Sequence, residues 1–193
     1  MSNNLRVLIP CAGFGTRVGM EPNRSKELLE DSEGEYLIDN TVARAKMMDG
    51  EPLLIIRREK QDLIDHCHQY GYPYMVVGET KEWPETILAS KSYWKPNNII
   101  LLPDVEFSKG EPGYSNNRLL YEEIGFWVHG PNKLFIAAHE VENNSKWGAV
   151  TINTIEEKPF VKIGNLAWGL LGFWQTEGVS LMEAMLERKP YKY

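Results

Sequence analysis

The most informative stretch of the chain is Leu8-Ile9-Pro10-Cys11-Ala12-Gly13-Phe14-Gly15-Thr16-Arg17. Its apolar beginning, with β-branched residues, followed by a turn with two glycines, is typical of a buried strand that enters a loop. Glycines let the backbone approach a ligand closely and point N–H groups at phosphate oxygens, and an arginine fork suits phosphate. The stretch therefore predicts a phosphate-binding loop after the first strand.

The loop differs from two common nucleotide-binding patterns. After Gly13 and Gly15 the chain continues with Thr16-Arg17-Val18, so the dinucleotide pattern Gly-x-Gly-x-x-Gly lacks its third glycine. The Gly-Lys-Ser/Thr of the P-loop is missing as well. For a lone Gly-x-Gly, the alternative interpretation is a surface turn with incidental basic residues.

Short apolar runs alternate with helical patterns in the first half of the chain. This alternation indicates βαβ crossovers and a parallel sheet. Asp39 or Asn40 is the predicted cap of the first helix, and Pro84 falls in the first turn of the third. The predicted strands are 6–9, 53–56, 74–77 and 99–102, and the predicted helices are 37–48, 60–70 and 84–94.

The second half is richer in strands. Strands are predicted at 134–141, 148–155 and 167–174, with helices at 117–126 and 178–188. We therefore expect an α/β fold with a Rossmann-like mixed sheet, flanked by helices and extended by antiparallel strands. No composition shift marks a boundary, so residues 1–193 are expected to form a single domain.

Composition and charge exclude several classes of function. Lys and Arg number 21 against 27 Asp and Glu, a net charge of −6, which argues against non-specific nucleic-acid binding. No apolar run approaches the ~20 residues of a spanning helix, and the polar N-terminus predicts no signal peptide. Only two cysteines are present, which fits a reducing cytoplasm. We expect a cytoplasmic protein that binds neither nucleic acid nor membrane.

Several motifs, in order along residues 5–175, give the chain a family resemblance. It resembles the sugar-phosphate nucleotidylyltransferases, and most closely the hexose-1-phosphate thymidylyltransferases, as a short single-domain member. The matching segments are Ala12-Gly13-Phe14-Gly15-Thr16-Arg17, Ser25-Lys26-Glu27-Leu28-Leu29, Ile100-Leu101-Leu102-Pro103-Asp104-Val105-Glu106-Phe107, Trp147-Gly148-Ala149-Val150, Ile155-Glu156-Glu157-Lys158-Pro159 and Trp168-Gly169-Leu170-Leu171-Gly172-Phe173.

The resemblance implies a reaction and a division of the domain. A phosphorylated small molecule, such as a sugar 1-phosphate, would attack the α-phosphorus of a nucleoside triphosphate and release pyrophosphate. Residues 1–110 would form the nucleotide-binding half and residues 111–193 the sugar-phosphate-binding half. Such chemistry depends mainly on positioning and charge neutralisation.

The resemblance also implies a role for each site residue. Arg17 and Lys26 would be catalytic, the first neutralising the leaving pyrophosphate and the second lying near the reacting phosphates. Asp104 would hold Mg²⁺, a hard cation that prefers oxygen ligands. The expected nucleotide-binding residues are Ala12, Gly13, Phe14, Gly15, Thr16, Glu79 and Thr86. The expected sugar-phosphate-binding residues are Gly148, Glu157, Lys158 and Trp168.

The chain departs from the family pattern in three places. Residues 83–89 lack the glycine that usually lets the base approach the backbone, and the base-reading position falls at Glu79 or Thr80. Pro103 replaces the glycine before the metal-binding Asp. No convincing second metal-binding Asp is found, and Glu177 is a poor substitute. The alternative function is therefore a catalytically reduced relative that binds nucleotides or nucleotide sugars as a sensor or subunit partner. The oligomeric state stays open, a homo-oligomer included.

Three further features have two interpretations each. His66-Cys67-His68 resembles a metal site, but adjacent helical residues point in different directions, so we expect them not to converge. Cys11 is either a thiolate favoured by the phosphate loop or a small buried apolar residue. Trp147, Trp168 and Trp174 are either core residues or a platform for a sugar ring or a quaternary ammonium group.

Overall fold

The computed structural model describes residues 4–13, 24–103, 116–143 and 148–192, and these form a central mixed sheet flanked by helices. The predicted fold class is confirmed. The strands are β1 Leu5–Cys11, β2 Glu51–Arg57, β3 Tyr74–Val77, β4 Asn97–Leu101, β5 Leu134–Glu140, β6 Gly148–Val150, β7 Thr154–Glu157, β8 Leu166–Trp174 and β9 Tyr191–Lys192. The helices are α1 Leu37–Met47, α2 Gln61–Tyr70, α3 Trp83–Ala89, α4 Asn116–His129 and α5 Gln175–Leu186, with 3₁₀ turns at Lys26–Leu28 and Lys91–Tyr93.

The first four strands form the parallel part of the sheet, in the order β3-β2-β1-β4. Leu8 of β1 lies beside Leu53 of β2 on one side and Ile100 of β4 on the other. Strand β1 reads as a nearly continuous apolar run because a parallel strand is covered on both faces. Its alternate residues serve two separate cores.

The two cores lie on opposite faces of the sheet. Val7 and Ile9 pack against α1, α2 and α4, whereas Leu8 faces α3 and α5. Successive side chains of a strand point to opposite faces, so a single register places both sets. Each fully buried Leu or Ile would cost about 2–5 kcal/mol on truncation to Ala.

The second half extends the sheet with antiparallel strands around β8. Strand β5 borders β8 along residues 166–173, so β4 and β6 share the other side of β8. Because β8 runs antiparallel to β4, its first residues lie at the edge where β4 ends: Leu101 pairs with Leu170. Strands β7 and β9 then continue from β6.

Several observed elements differ from the predictions. Residues 148–155 are not one strand but a hairpin, because Thr151 Oγ1 accepts the Thr154 N–H at 3.1 Å and turns the chain. The apolar residue in that turn, Ile152, is 90% exposed. Helix α1 begins after Tyr36 without a side-chain cap, so the predicted Asp39 or Asn40 cap is wrong. The two-residue β9 was not predicted at all.

Helix α5 begins at Gln175, three residues before the predicted start at Gly178. A glycine usually signals a break, but this one is buried inside the helix. A Cβ there would lie 2.5 Å from Phe173 and from Trp94, so the glycine permits close packing of α5 on the sheet. None of the described helices is long and apolar enough to cross a membrane.

Candidate functional site

The candidate site lies at one edge of the sheet. Strands β1 to β4 run parallel, so their carboxyl ends meet at that edge. Strand β8 begins there, and β6 and β7 bring Gly148 and Glu157 beside it as register partners. In open α/β sheets ligands bind outside the carboxyl ends of the strands. The topology thus brings residues of both halves of the chain to one edge.

The glycine-rich stretch begins at the end of β1. Cys11 and Ala12 are buried and Gly13 is exposed. Ala12 and Gly13 therefore lie where a loop leaves the sheet edge, as predicted. Of the predicted site residues, Phe14, Gly15, Thr16 and Arg17 lie outside the described residues.

The Cys11 thiol is not a poised thiolate. It is fully buried, and desolvation, together with the charge of Glu27, raises its pKa well above the usual value. Lys26 and Lys60 act in the opposite direction but do not reverse the shift. Of the two interpretations, the buried apolar residue is correct. Lys26, Glu27 and Lys60 therefore lie close enough to Cys11, at the end of β1, for their charges to act on its pKa.

Lys26 opens the 3₁₀ turn Lys26–Leu28, and both of its neighbours are bound to the start of α2. Ser25 donates from its backbone N–H and its hydroxyl to the two carboxylate oxygens of Asp62, each at 2.7 Å. Lys60 Nζ donates to Glu27 Oε2 at 2.6 Å, and both of these residues are buried. Because α2 follows the carboxyl end of β2, these contacts hold the turn at the candidate site.

The sequence analysis missed Glu27, Lys60 and Asp62 as residues of this region. A buried pair of opposite charges 33 residues apart leaves no spacing signal. Glu27 lies in a segment with several charged residues, so its burial could not be recognised from the sequence.

Two predicted nucleotide-binding residues lie in and after the loop that follows β3. Glu79 is exposed in this loop, and Thr86 is buried in α3. The hydroxyls of Thr80 and Thr86 are 2.8 Å apart and share a hydrogen bond. The buried Arg57 donates to the Thr80 carbonyl at 2.9 Å. Thr86 and Arg57 thus shape the loop that presents Glu79.

On the other side of the site, Trp168 of β8 lies directly over Gly148. A Cβ at residue 148 would lie 1.5 Å from the Trp168 Nε1 atom, so any side chain there would displace the indole. Trp168 also meets Trp83 edge to face, with ring centroids 5.3 Å apart. Trp168 is only 6% exposed and belongs to the core cluster. Of the two interpretations of the tryptophans, that of a core residue therefore fits Trp168 better.

Glu157 ends β7 as a buried carboxylate, not as part of a solvated charge run. Its Oε2 atom has no hydrogen-bond partner, while Oε1 lies 3.6 Å from Lys158 Nζ. Desolvation raises the pKa of Glu157, and a hydrogen bond from Trp83 and the charge of Lys158 oppose that rise. Lys158 has a φ of 45°, a left-handed conformation that non-glycine residues seldom adopt. An unpartnered buried oxygen calls for a hydrogen-bond donor.

The end of β4 leads to the predicted metal ligand. Asp104 lies outside the described residues, but Pro103 directly before it is buried and accepts a hydrogen bond from Thr41 at 3.4 Å. Glu177 instead lies at the opposite edge, after Trp174, which pairs with the start of β4. It binds Lys133 and Tyr191, so it does not replace the second Asp at this site.

Within the described residues, no group of three or more His, Cys, Asp or Glu side chains is arranged to hold a metal ion. The expected divergence of His66-Cys67-His68 is confirmed. His66 Nε2 lies 2.7 Å from Asp39 Oδ1, and His68 lies 2.8 Å from the Tyr74 hydroxyl. Cys67 is buried, and desolvation raises its pKa to about 12.

No protein-family model matches the chain, and no curated protein matches it. Solved structures do. A candidate glucose-1-phosphate thymidylyltransferase from Bacillus anthracis, in complex with sucrose, matches with a TM-score of 0.72 and 16% identity over 93% of this chain and 75% of that one. A UDP-glucose pyrophosphorylase in complex with UDP-glucose matches with a TM-score of 0.63 and 18% identity, over 97% and 92%.

A UDP-glucose pyrophosphorylase from Acinetobacter baumannii gives a TM-score of 0.70 and 16% identity, over 97% of this chain and 84% of that one. These structural neighbours are sugar-phosphate nucleotidylyltransferases, the family that the sequence motifs resemble. At such low identity the likeness establishes the nucleotidyltransferase fold.

Proposed function

We propose that this chain transfers a nucleoside monophosphate from a nucleoside triphosphate to a sugar 1-phosphate or a similar phosphorylated small molecule, with release of pyrophosphate. The observation that carries the proposal is the shared sheet edge. It gathers the start of the glycine-rich loop, the Lys26 turn and the Glu157-Lys158 pair from opposite halves of the chain. The activities named for the structural neighbours support the same reaction class.

The nucleotide binds on the β1 side of this edge. Backbone N–H groups of residues 12–16 hold the triphosphate, and Arg17 neutralises the leaving pyrophosphate. Lys26 neutralises charge where two phosphates meet, which a compact ammonium does well. Glu79, presented by the Thr86-supported loop, contacts the base.

The acceptor binds on the β7 and β8 side. Lys158 binds the acceptor phosphate, and Glu157 accepts hydrogen bonds from acceptor hydroxyls. The unpartnered Oε2 of Glu157 supplies that acceptor capacity. Trp168, packed over Gly148, forms the wall beside them.

The carboxylate that follows β4 in the sequence, Asp104, is of a type that binds Mg²⁺. This ion is usually bound by one or two carboxylates together with substrate phosphates and water. One carboxylate, Asp104, directly follows the anchored Pro103 at the edge where the triphosphate binds. When bound there, Mg²⁺ would neutralise triphosphate charge.

Pyrophosphate release tests the proposal. A panel of nucleoside triphosphates and sugar 1-phosphates, with Mg²⁺, should contain one pair that yields pyrophosphate only when both substrates are present. The R17A and D104N variants should abolish that release without loss of folding. If the protein binds a triphosphate but releases pyrophosphate with none of the substrate pairs, the proposal is contradicted. The alternative of a nucleotide-binding relative is then supported.

A further inference from the structure

Four residues hold the Lys26 turn on helix α2, and we name them the Lys26 anchor: Ser25, Glu27, Lys60 and Asp62. Two of them directly flank Lys26 in the chain. Of the other two, Asp62 lies in the first turn of α2 and Lys60 directly precedes this helix, after the carboxyl end of β2. The contacts therefore grip the backbone on both sides of one lysine.

The Asp62 half of the anchor fixes the start of the turn. Both carboxylate oxygens accept from Ser25, at 2.7 Å each, and Oδ1 also accepts the Leu63 N–H at 2.8 Å. Ser25 is 1% exposed, so these bonds form away from solvent. The Leu28 N–H in turn donates to the Ser25 carbonyl at 3.0 Å and closes the turn.

The Glu27–Lys60 half of the anchor is a buried ion pair, and such a pair is not expected to add much to the stability of the fold. Both groups lose hydration, and Glu27 Oε1 has no hydrogen-bond partner. Buried pairs of this kind are often neutral or unfavourable for stability against apolar residues of equal size, but they fix one geometry. What this pair fixes is the position of the residue next to Glu27, which is Lys26.

We propose that the Lys26 anchor consists of positioning residues for the reaction proposed above. It holds the Lys26 backbone so that the ammonium meets the reacting phosphates, and it does not touch substrate itself. This inference rests on the proposed function, in which Lys26 acts at the reacting phosphorus. A misplacement of about 1 Å at such a group can lower the rate by about 100-fold.

The first test separates positioning from stability by a double substitution. Glu27→Met or Lys60→Met alone leaves an unpaired buried charge and should unfold the turn or the protein. Glu27→Met with Lys60→Met removes both charges, so the fold should be as stable as in the wild type. We expect this double variant to keep its melting temperature while kcat falls about 10- to 100-fold and the triphosphate KM changes little. A stable double variant with wild-type kcat would overturn the positioning role.

The second test uses the milder half of the anchor and a matched control. Asp62→Asn keeps one carbonyl oxygen but loses one acceptor for Ser25, so kcat should fall in the same direction. Asp65→Asn is the control, because Asp65 lies exposed on the same helix, where it accepts a hydrogen bond from Gln61 at 2.8 Å. Equal kcat in D62N, D65N and wild type would contradict the inference.

A readout without substrate completes the experiment. Trypsin cleavage after Arg24 or Lys26 in the native protein requires the turn to detach. Mass spectrometry should show this cleavage about tenfold faster in D62N than in D65N. Unchanged cleavage would mean that the anchor does not hold the turn.

The outcomes also separate this inference from the proposed function. A wild type without turnover contradicts the proposed function and, with it, the role in catalysis. Turnover in the wild type with unaltered kcat in the anchor variants contradicts the inference alone.

Discussion

Two lysines at the candidate site sit in different surroundings, and their roles should differ accordingly. Lys26 is held between two anchored neighbours near the end of β1. Lys158 follows β7 in a left-handed backbone conformation, 3.6 Å from the Glu157 carboxylate. The first belongs to the nucleotide side and the second to the acceptor side of the proposed site.

Substitution of each lysine by Ala should affect different kinetic constants. Lys158→Ala should raise the KM for the sugar phosphate, because a lost charged hydrogen bond costs about 1.5–3 kcal/mol, and leave the triphosphate KM nearly unchanged. Lys26→Ala should mainly lower kcat, since its charge is most useful where negative charge crowds in the transition state. Steady-state kinetics with each substrate varied checks both, with the exposed Lys162→Ala as control. If both variants shifted only the triphosphate KM, the acceptor side would have been assigned wrongly.

Glu157 should make the fold less stable as pH rises. Desolvation raises its pKa above the usual 4.5 in the folded state, so the folded chain binds this proton more tightly than the unfolded chain. Stability is therefore greatest below the ordinary pKa and declines as pH rises from there through the raised folded pKa. Each unit of pKa difference corresponds to ~1.4 kcal/mol.

Glu157→Gln removes this titration while keeping a similar shape. Thermal melts from pH 4 to pH 8 should show E157Q gaining stability relative to the wild type as pH rises, with the difference smallest at the acid end. Glu183→Gln, on the exposed side of α5, should follow the wild type throughout. A constant offset between E157Q and the wild type would show that no raised pKa is involved.

At the scale of elements, the sequence predicted the four parallel strands of the first half better than the strands of the second half. Strand β3 was predicted at its observed bounds, and β1, β2 and β4 within two residues at each end. These are central strands whose apolar runs come from burial on both faces. The 148–155 segment misled because an apolar residue, Ile152, occupies a turn that the Thr151 hydroxyl determines.

The sequence could offer candidate site residues only where they belong to a motif. Ala12, Gly13, Lys26 and Glu157 were predicted in this way, and the structure brings their elements to one edge. Lys60, Asp62 and Trp83 could not be found, because their roles depend on contacts between elements far apart in sequence. The position of Gly178 inside α5 could not be predicted either. A glycine is needed there because neighbouring aromatic rings leave no space for a side chain.

The packing of β6 against β8 should depend on the absence of a side chain at residue 148. Gly148→Ala would place a Cβ 1.5 Å from the Trp168 ring nitrogen, so the indole, which also contacts Trp83, must shift. Such overpacking should lower stability by about 1–3 kcal/mol, measured by chemical denaturation. The tryptophan fluorescence should change as well.

Gly125→Ala is the matched control for this substitution. Gly125 lies exposed on α4 with open space around its Cβ position, so Ala there should be neutral or stabilising. Equal stability of G148A and the wild type would show that Trp168 does not pack on residue 148.

At the scale of the whole molecule, one sheet joins the two halves of the chain. In the proposed function, the parallel strands β1 to β4 provide the nucleotide side, and β6 to β8 provide the acceptor side. Because β8 runs antiparallel to β4, the acceptor side begins where the nucleotide side ends. This arrangement is what allows two substrates to meet, and it is the central claim of the proposed function.

Transfer of an α-phosphate label tests this claim most directly. The protein is incubated with Mg²⁺, a sugar 1-phosphate and a nucleoside triphosphate labelled at the α-phosphorus, and the products are then treated with phosphatase. We predict a labelled product that resists phosphatase, because the α-phosphate is then bridged to the sugar phosphate. It should form only with both substrates and should be lost in K26A. Label that is entirely phosphatase-sensitive for every substrate pair, in a protein that binds the triphosphate, would contradict the account.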